Sequence, residues 1–139
     1  MTNTVINRDG IAAVERIIRP HIRRTPVLAV DSGDFGLTCG DITFKFELLQ
    51  HGGSFKARGA FAQLLTREVP KAGVVAASGG NHGVAVAFAA MKLGVPAKIF
   101  VPSVASQEKK DRIRASGAAL VIAGDRTASF ACTLEWTIT

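Results

Sequence analysis

The chain has few of the residues that staple a small protein together. Its only cysteines, Cys39 and Cys132, lie far apart, without the close spacing of a metal site or redox pair, so neither a disulfide framework nor a zinc cluster is indicated. Both read as reduced thiols, and no metal is expected. Long apolar runs are missing too: the longest, Val84 to Met91, is far too short to span a bilayer. Residues 1–25 carry Arg8, Asp9, Glu15, Arg16 and Arg19 and no apolar core of signal-peptide length. The expectation is a cytoplasmic protein with no membrane partner. Internal repeats and low-complexity tracts are absent as well.

What is present suits a folded domain. The 139 residues are 47% hydrophobic and 20% charged, enough to bury a core. The formal charge of +6 would suit an anionic ligand, but the basic residues are dispersed. The two denser groups, "RIIRPHIRR" and "KKDRIR", read as solvated helix faces. No recognition motif accompanies them, so a nucleic-acid partner is not expected.

Periodicity organises the chain. Ile11, Val14, Ile17 and Ile18 recur at helical spacing from Asp9 to Arg19, and the following Arg19-Pro20 disfavours continuation. "TPVLAV" and "DITFKFELL" read as extended segments around a turn rich in Gly, Asp and Ser. A second helix is expected from Phe55 to Arg67. Then comes a regular alternation: "GVVAAS" strand, "NHGVAVAFAAMKLG" helix, "AKIFVP" strand, "SQEKKDRIRASG" helix, "AALVIAG" strand. Such alternation implies right-handed crossovers and a parallel sheet with flanking helices, an α/β fold. Gly73, Gly94 and Gly117 stand at the approaches to the three strands. The tail "DRTASFACTLEWTIT" loses this rhythm, and a parallel sheet of about three strands leaves apolar faces uncovered. The chain reads as unfinished, with self-association expected.

Two stretches carry chemistry. In "QHGGSFKARGAF" a lysine, Lys56, stands where a helix begins, although a cation in the first turn opposes the helix dipole. Ala57, Ala60, Phe61, Leu64 and Leu65 define the buried stripe, which leaves Lys56 at its boundary. Ser54 is the expected N-cap, and Gly52 and Gly53 allow close backbone approach. On these residues alone the lysine is either a snorkelling side chain on a capped helix or an amine whose pKa is lowered by the dipole and partial burial, able to form a Schiff base.

The second stretch is "AASGGNHGVAVAFAA". A strand ends near Ala77, a Ser-Gly-Gly turn follows and Asn81 opens an apolar helix, a geometry that aims free N–H groups at an anion. The glycine spacing matches neither G-x-G-x-x-G nor G-x-x-x-x-G-K-[ST]. His82 has no acidic residue near it in sequence, which favours a structural histidine over a base. Ser78 lacks the G-x-S-x-G elbow of a serine hydrolase.

Together the two stretches resemble a known family. "KFELLQHGGSFKARGAF" is similar to the lysine motif of pyridoxal-phosphate enzymes of the tryptophan-synthase β fold type (fold type II), in the serine/threonine dehydratase and serine racemase branch. "SGGNHGVAVAFAAMKLGVPAKIFVP" resembles that family's Ser-x-Gly-Asn-His loop with its helix and next strand. The similarity runs from about Ile11 to Asp125. It implies the N-terminal half of a fold type II enzyme: residues 1–50 as part of the larger cofactor domain, 51–125 as a small α/β domain, and 126–139 as a divergent, truncated tail.

By that resemblance Lys56 would hold pyridoxal 5'-phosphate, Phe55 would pack beside the ring, and Asn81 would bond the cofactor's 3-hydroxyl oxygen. Ser78, Gly79, Gly80, Asn81 and His82 would receive the carboxylate of an amino-acid substrate. The implied reaction is β-elimination of L-threonine or L-serine to a 2-oxo acid and ammonia. Racemases of the branch carry a second serine where this chain has Gly79, which disfavours serine racemisation. The family's later glycine-rich phosphate loop does not appear, so the other expectation is an inactive remnant that binds at most an anion or a partner chain.

Overall fold

The structure, a computed structural model, describes residues 6–38 and 40–125. Cys39, Cys132 and the tail from residue 126 lie outside the described residues. The first helix, α1 (Arg8–Ile18), starts where the Asn7 side chain accepts the Gly10 amide at 2.8 Å, with Asp9 in the first turn to meet the dipole. Ile18 is buried and Val14 packs against the core, while Ile11 is exposed. Arg19-Pro20 does not end the helical path at once. The chain tightens into a 3₁₀ turn over Arg19–His21, because proline near the start of a helical turn gives up no bond that the turn needs.

Two short strands, β1 (Val27–Val30) and β2 (Ile42–Lys45), pair antiparallel with Val27 opposite Lys45 and Val30 opposite Ile42. The extended reading of "DITFKFELL" holds only as far as Lys45. Glu47–Leu49 and His51–Gly53 form 3₁₀ turns, because Glu47 and Gln50 are drawn to partners outside the ladder. Helix α2 (Lys56–Thr66) follows, with Ala57, Ala60 and Phe61 buried on its inner face.

Strands β3 (Val74–Ala77), β4 (Ala97–Val101) and β5 (Ala119–Ile122) form a parallel sheet in that order. Helix α3 (Asn81–Leu93) connects the first two and α4 (Gln107–Ala115) the second pair. The β3–α3–β4–α4–β5 succession is the alternation read from the sequence. Helix α3 buries most of its first turns, Gly83 to Ala87 and then Ala89 and Ala90, so it acts as core rather than as a surface helix. It lies against α2, and Ile99, Val101, Phe61 and Ile113 are fully enclosed around it.

One basic residue departs from the solvated-face reading. Lys110, in "KKDRIR", is buried, and its Nζ donates to the Ser103 carbonyl at 2.9 Å, tying α4 to the loop before it. Among the described residues no helix is long and apolar enough to cross a membrane. Ile99, at the centre of β4 and wholly inaccessible, tests the core: Ile99→Ala leaves a cavity and is expected to cost about 2–5 kcal/mol, measured as a lower urea midpoint.

Candidate active site

The lysine turn is held by two clamps that precede it. Gln50 is buried, and its side-chain amide brackets Arg23: Nε2 donates to the Arg23 carbonyl at 2.8 Å and Oε1 accepts the Arg23 amide at 2.9 Å. The same Oε1 accepts the His51 amide at 3.0 Å. The second clamp is Glu47, whose two oxygens take Arg58 Nε and Nη2 at 2.8 and 2.7 Å, while Thr25 Oγ1 donates to it at 2.5 Å. This fork-to-fork pair is largely withdrawn from solvent, where charge-assisted bonds are strong. The Arg58 hydrogen bond holds the Glu47 carboxyl below the ordinary carboxylate range against its own burial, with help from Thr25 and the Arg58 and Lys45 charges.

Between the clamps and the helix the chain turns at Gly52 and Gly53, both at φ +73°, a region in which side chains are strained. A Cβ on Gly52 would also touch Val84 and Ala85 of α3. Ser54 is buried but is not the N-cap. Phe55 occupies that place in helical conformation and without a side-chain cap, and Ser54 Oγ reaches only the Lys56 amide, at 3.4 Å. The cause is the preceding double glycine turn, which brings the chain into the helix one residue later than the serine.

Lys56 thus begins α2, as expected, but it is exposed rather than partly buried. Its Nζ stands 5.0 Å from the ring centroid of Phe55, itself 58% exposed. Among the described residues the ammonium has no carboxylate or carbonyl partner.

The second motif lies at the carboxyl end of β3. Ser78 Oγ accepts the Gly80 amide at 3.2 Å and folds the turn. Gly80 is the N-cap of α3 and, among the described residues, no side chain caps the first-turn amides, so they remain available to an anion. Gly83 is needed for close approach: a Cβ there would come within 2.3 Å of the Ser78 carbonyl and 3.1 Å of Ile99 Cγ2. Asn81 and His82 are exposed at the helix start. Partial burial of the imidazole, and then the Lys56 ammonium, push the His82 pKa down. The two motifs meet where the lysine turn packs on α3, with Gly52 against Val84 and Ala85.

Sequence reasoning missed Thr25, Arg23, Glu47, Gln50 and Arg58. Only Glu47, Gln50 and Arg58 lie within the quoted lysine motif, and their pairings cross chain separations that no periodicity encodes.

Comparison with known proteins follows the same geometry. Residues 18–135 match the family described as pyridoxal-phosphate dependent enzyme, past Asp125, where the quoted resemblance ends. A phenylserine dehydratase from Ralstonia pickettii is 41% identical over 93% of this chain and 40% of its own. A catabolic L-threonine dehydratase from Staphylococcus aureus is 36% identical over 88% of this chain and 36% of its own. The solved structure of maize serine racemase superposes with a TM-score of 0.80 at 32% identity, over 91% of this chain and 39% of that one. The chain belongs to the pyridoxal-phosphate dependent enzyme family, with the α/β architecture of its fold type II members. It spans about 40% of the length of the curated relatives it matches.

Two measurements test this scaffold. Because the folded Glu47 carboxyl lies below its unfolded value of 4.5, its stabilisation is complete above that pH and is lost as pH falls through the folded value. Glu47→Gln should therefore flatten the acid limb of a stability-against-pH curve, as well as lower the neutral plateau. Gly83→Ala should push the Ser78–Gly80 turn away from α3 and lower the thermal midpoint, with the largest amide shifts in residues 78–83.

Proposed function

We propose that this chain carries the lysine and carboxylate-binding parts of a pyridoxal-phosphate-dependent ammonia-lyase, which eliminates the β-hydroxyl of L-threonine or L-serine to give a 2-oxo acid and ammonia. The observation that carries the reading is Lys56: an amine at a helix start, without a carboxylate or carbonyl partner among the described residues, on a turn packed against α3, whose first turn no side chain caps. The cofactor fits the residues present. Phe55 offers an exposed ring face beside Nζ, and Asn81 offers an exposed amide to a ring oxygen. Bound there, pyridoxal phosphate supplies the electron sink that makes the substrate's α-proton acidic.

The chain's own residues account for the rest. Ser78, Gly79 and Gly80 form the turn into α3, and Asn81 and His82 its first residues, where backbone N–H groups and the helix dipole receive the substrate carboxylate. That contact fixes the α-carbon, and the amine of Lys56, once free, takes its proton at Nζ.

Gly79 favours elimination over racemisation. It has no hydroxyl to deliver a proton to the second face, and a Cβ at this position would lie 2.6 Å from Ala105 Cβ and 3.0 Å from Pro102 Cδ. A second reading is an α/β domain that binds an anion or another chain. Exposed Leu48, Ile11 and Phe55 favour that reading wherever no further chain covers them.

The test is to mix the protein with pyridoxal phosphate, reduce with borohydride and map the modified lysine by mass spectrometry. Selective labelling of Lys56, abolished in Lys56→Ala without loss of fold, is the expected result. Labelling scattered over the exposed lysines, unchanged in Lys56→Ala, would overturn the assignment of the site. Release of a 2-oxo acid from threonine or serine by the labelled protein separates the lyase from the inert domain.

A further inference from the structure

His51 lies in the turn that launches the Lys56 helix, yet the proposed chemistry does not use it. Its ring stacks on Phe88 of α3 at 4.8 Å between centroids and 22° between planes. Its backbone amide shares Gln50 Oε1 with the Arg23 amide. The half-buried imidazole is therefore a bolt between the lysine turn and α3. On the other side of the bolt, the Gly53 amide closes the turn onto the Gln50 carbonyl at 2.8 Å.

The groups around this bolt are cationic. Lys92 of α3 reaches the same Phe88 ring, its Nζ 5.8 Å from the centroid. Arg23, before β1, donates through Nη1 to the Leu49 carbonyl at 3.0 Å. Arg112 of α4 places its guanidinium nitrogens 3.5 and 3.7 Å from where a Cβ on Gly53 would sit. Of the nearby acids, Glu47 is engaged with Arg58, while Glu108 lies 3.7 Å from Arg112 and offsets that charge, which leaves Arg23 and Lys92 as the cations that bear on the ring. A proton on the imidazole would thus join a group of like charges in a partly desolvated place, where Phe88 already faces one cation.

We propose that His51 is a positioning residue for Lys56: its neutral ring, stacked on Phe88, pins the 51–53 turn that aims the lysine, and protonation of that ring releases the turn. The proposal rests on the reading of Lys56 as the cofactor lysine for its functional consequence, but not for its physical content. Burial, then the Arg23 and Lys92 charges, hold the His51 imidazole below its ordinary 6.5. The sign follows: the unfolded or released turn binds the proton more readily, so the closed turn is at full strength above the ordinary histidine range and weakens as pH falls below it.

The test is amide hydrogen exchange on the 139-residue chain without cofactor, expressed as protection factors between about pH 7.5 and 5.5. In the wild type, protection at Gly53 and Arg58 should fall roughly 3-fold or more over that range, while Ile99 in β4 stays protected. His51→Phe, which keeps a ring on Phe88, and His51→Gln should both abolish the pH dependence. His82→Gln should retain it, which separates the two histidines whose pKa is lowered. A flat wild-type profile, or a fall that persists in either folded His51 variant, would overturn the proposal. Borohydride labelling of Lys56 at the two pH extremes reads the consequence: if the wild type never labels, the cofactor reading fails, while the exchange data still decide the role of His51.

Discussion

The buried side-chain amide of Gln50 is the contact on which the lysine turn depends. It meets both backbone groups of Arg23 and the amide of His51 at once, in a place from which water is excluded. Removing such a group takes a partner from three backbone groups that are only part-buried, so each costs less than the about 1–3 kcal/mol of a fully buried one. This bracket lets a double glycine turn, entropically expensive in itself, persist in a single form. Glu47 and Arg58 complete the arrangement by joining the segment before the turn to the first turns of α2.

The other half of the site obeys a different constraint, the geometry of a parallel sheet. Each strand enters its following helix at the same edge, so α3 and α4 begin near one another without any need for matched side chains. Close packing then refines the position. Gly83 lets the start of α3 sit on the Ser78 carbonyl, and Gly79 accepts the methyl of Ala105. An uncapped helix start costs stability when nothing fills it. Its retention, in a chain whose Lys56 has no carboxylate or carbonyl partner among the described residues, breaks a local rule twice, which suits the site proposed above.

The sheet and its helices were legible in the sequence because their signals are local. Apolar runs bounded by glycine, alternating with 3.6-residue patterns, gave β3 to β5 and α2 to α4 within a residue or two. Lys56 and the Ser78–His82 loop were legible because motif and helix-start chemistry are both contiguous. What misled was local propensity overridden at a distance: Ser54 has the composition of an N-cap, but the turn behind it moves the helix start to Phe55 and Lys56. Lys110 has the composition of a surface charge, but the Ser103 carbonyl takes it inward.

By itself, then, the sequence determined the fold class and the order of the elements, and it marked Lys56 and the Ser78–His82 loop as the proposed site, since each depends on residues within a few positions of one another. Tertiary structure alone decided that Gln50 clasps Arg23, that Glu47 takes Arg58 and Thr25, and that His51 rests on Phe88. Those pairings join positions far apart in the chain, and only folding, which sets their distances and removes water from between them, gives them energy.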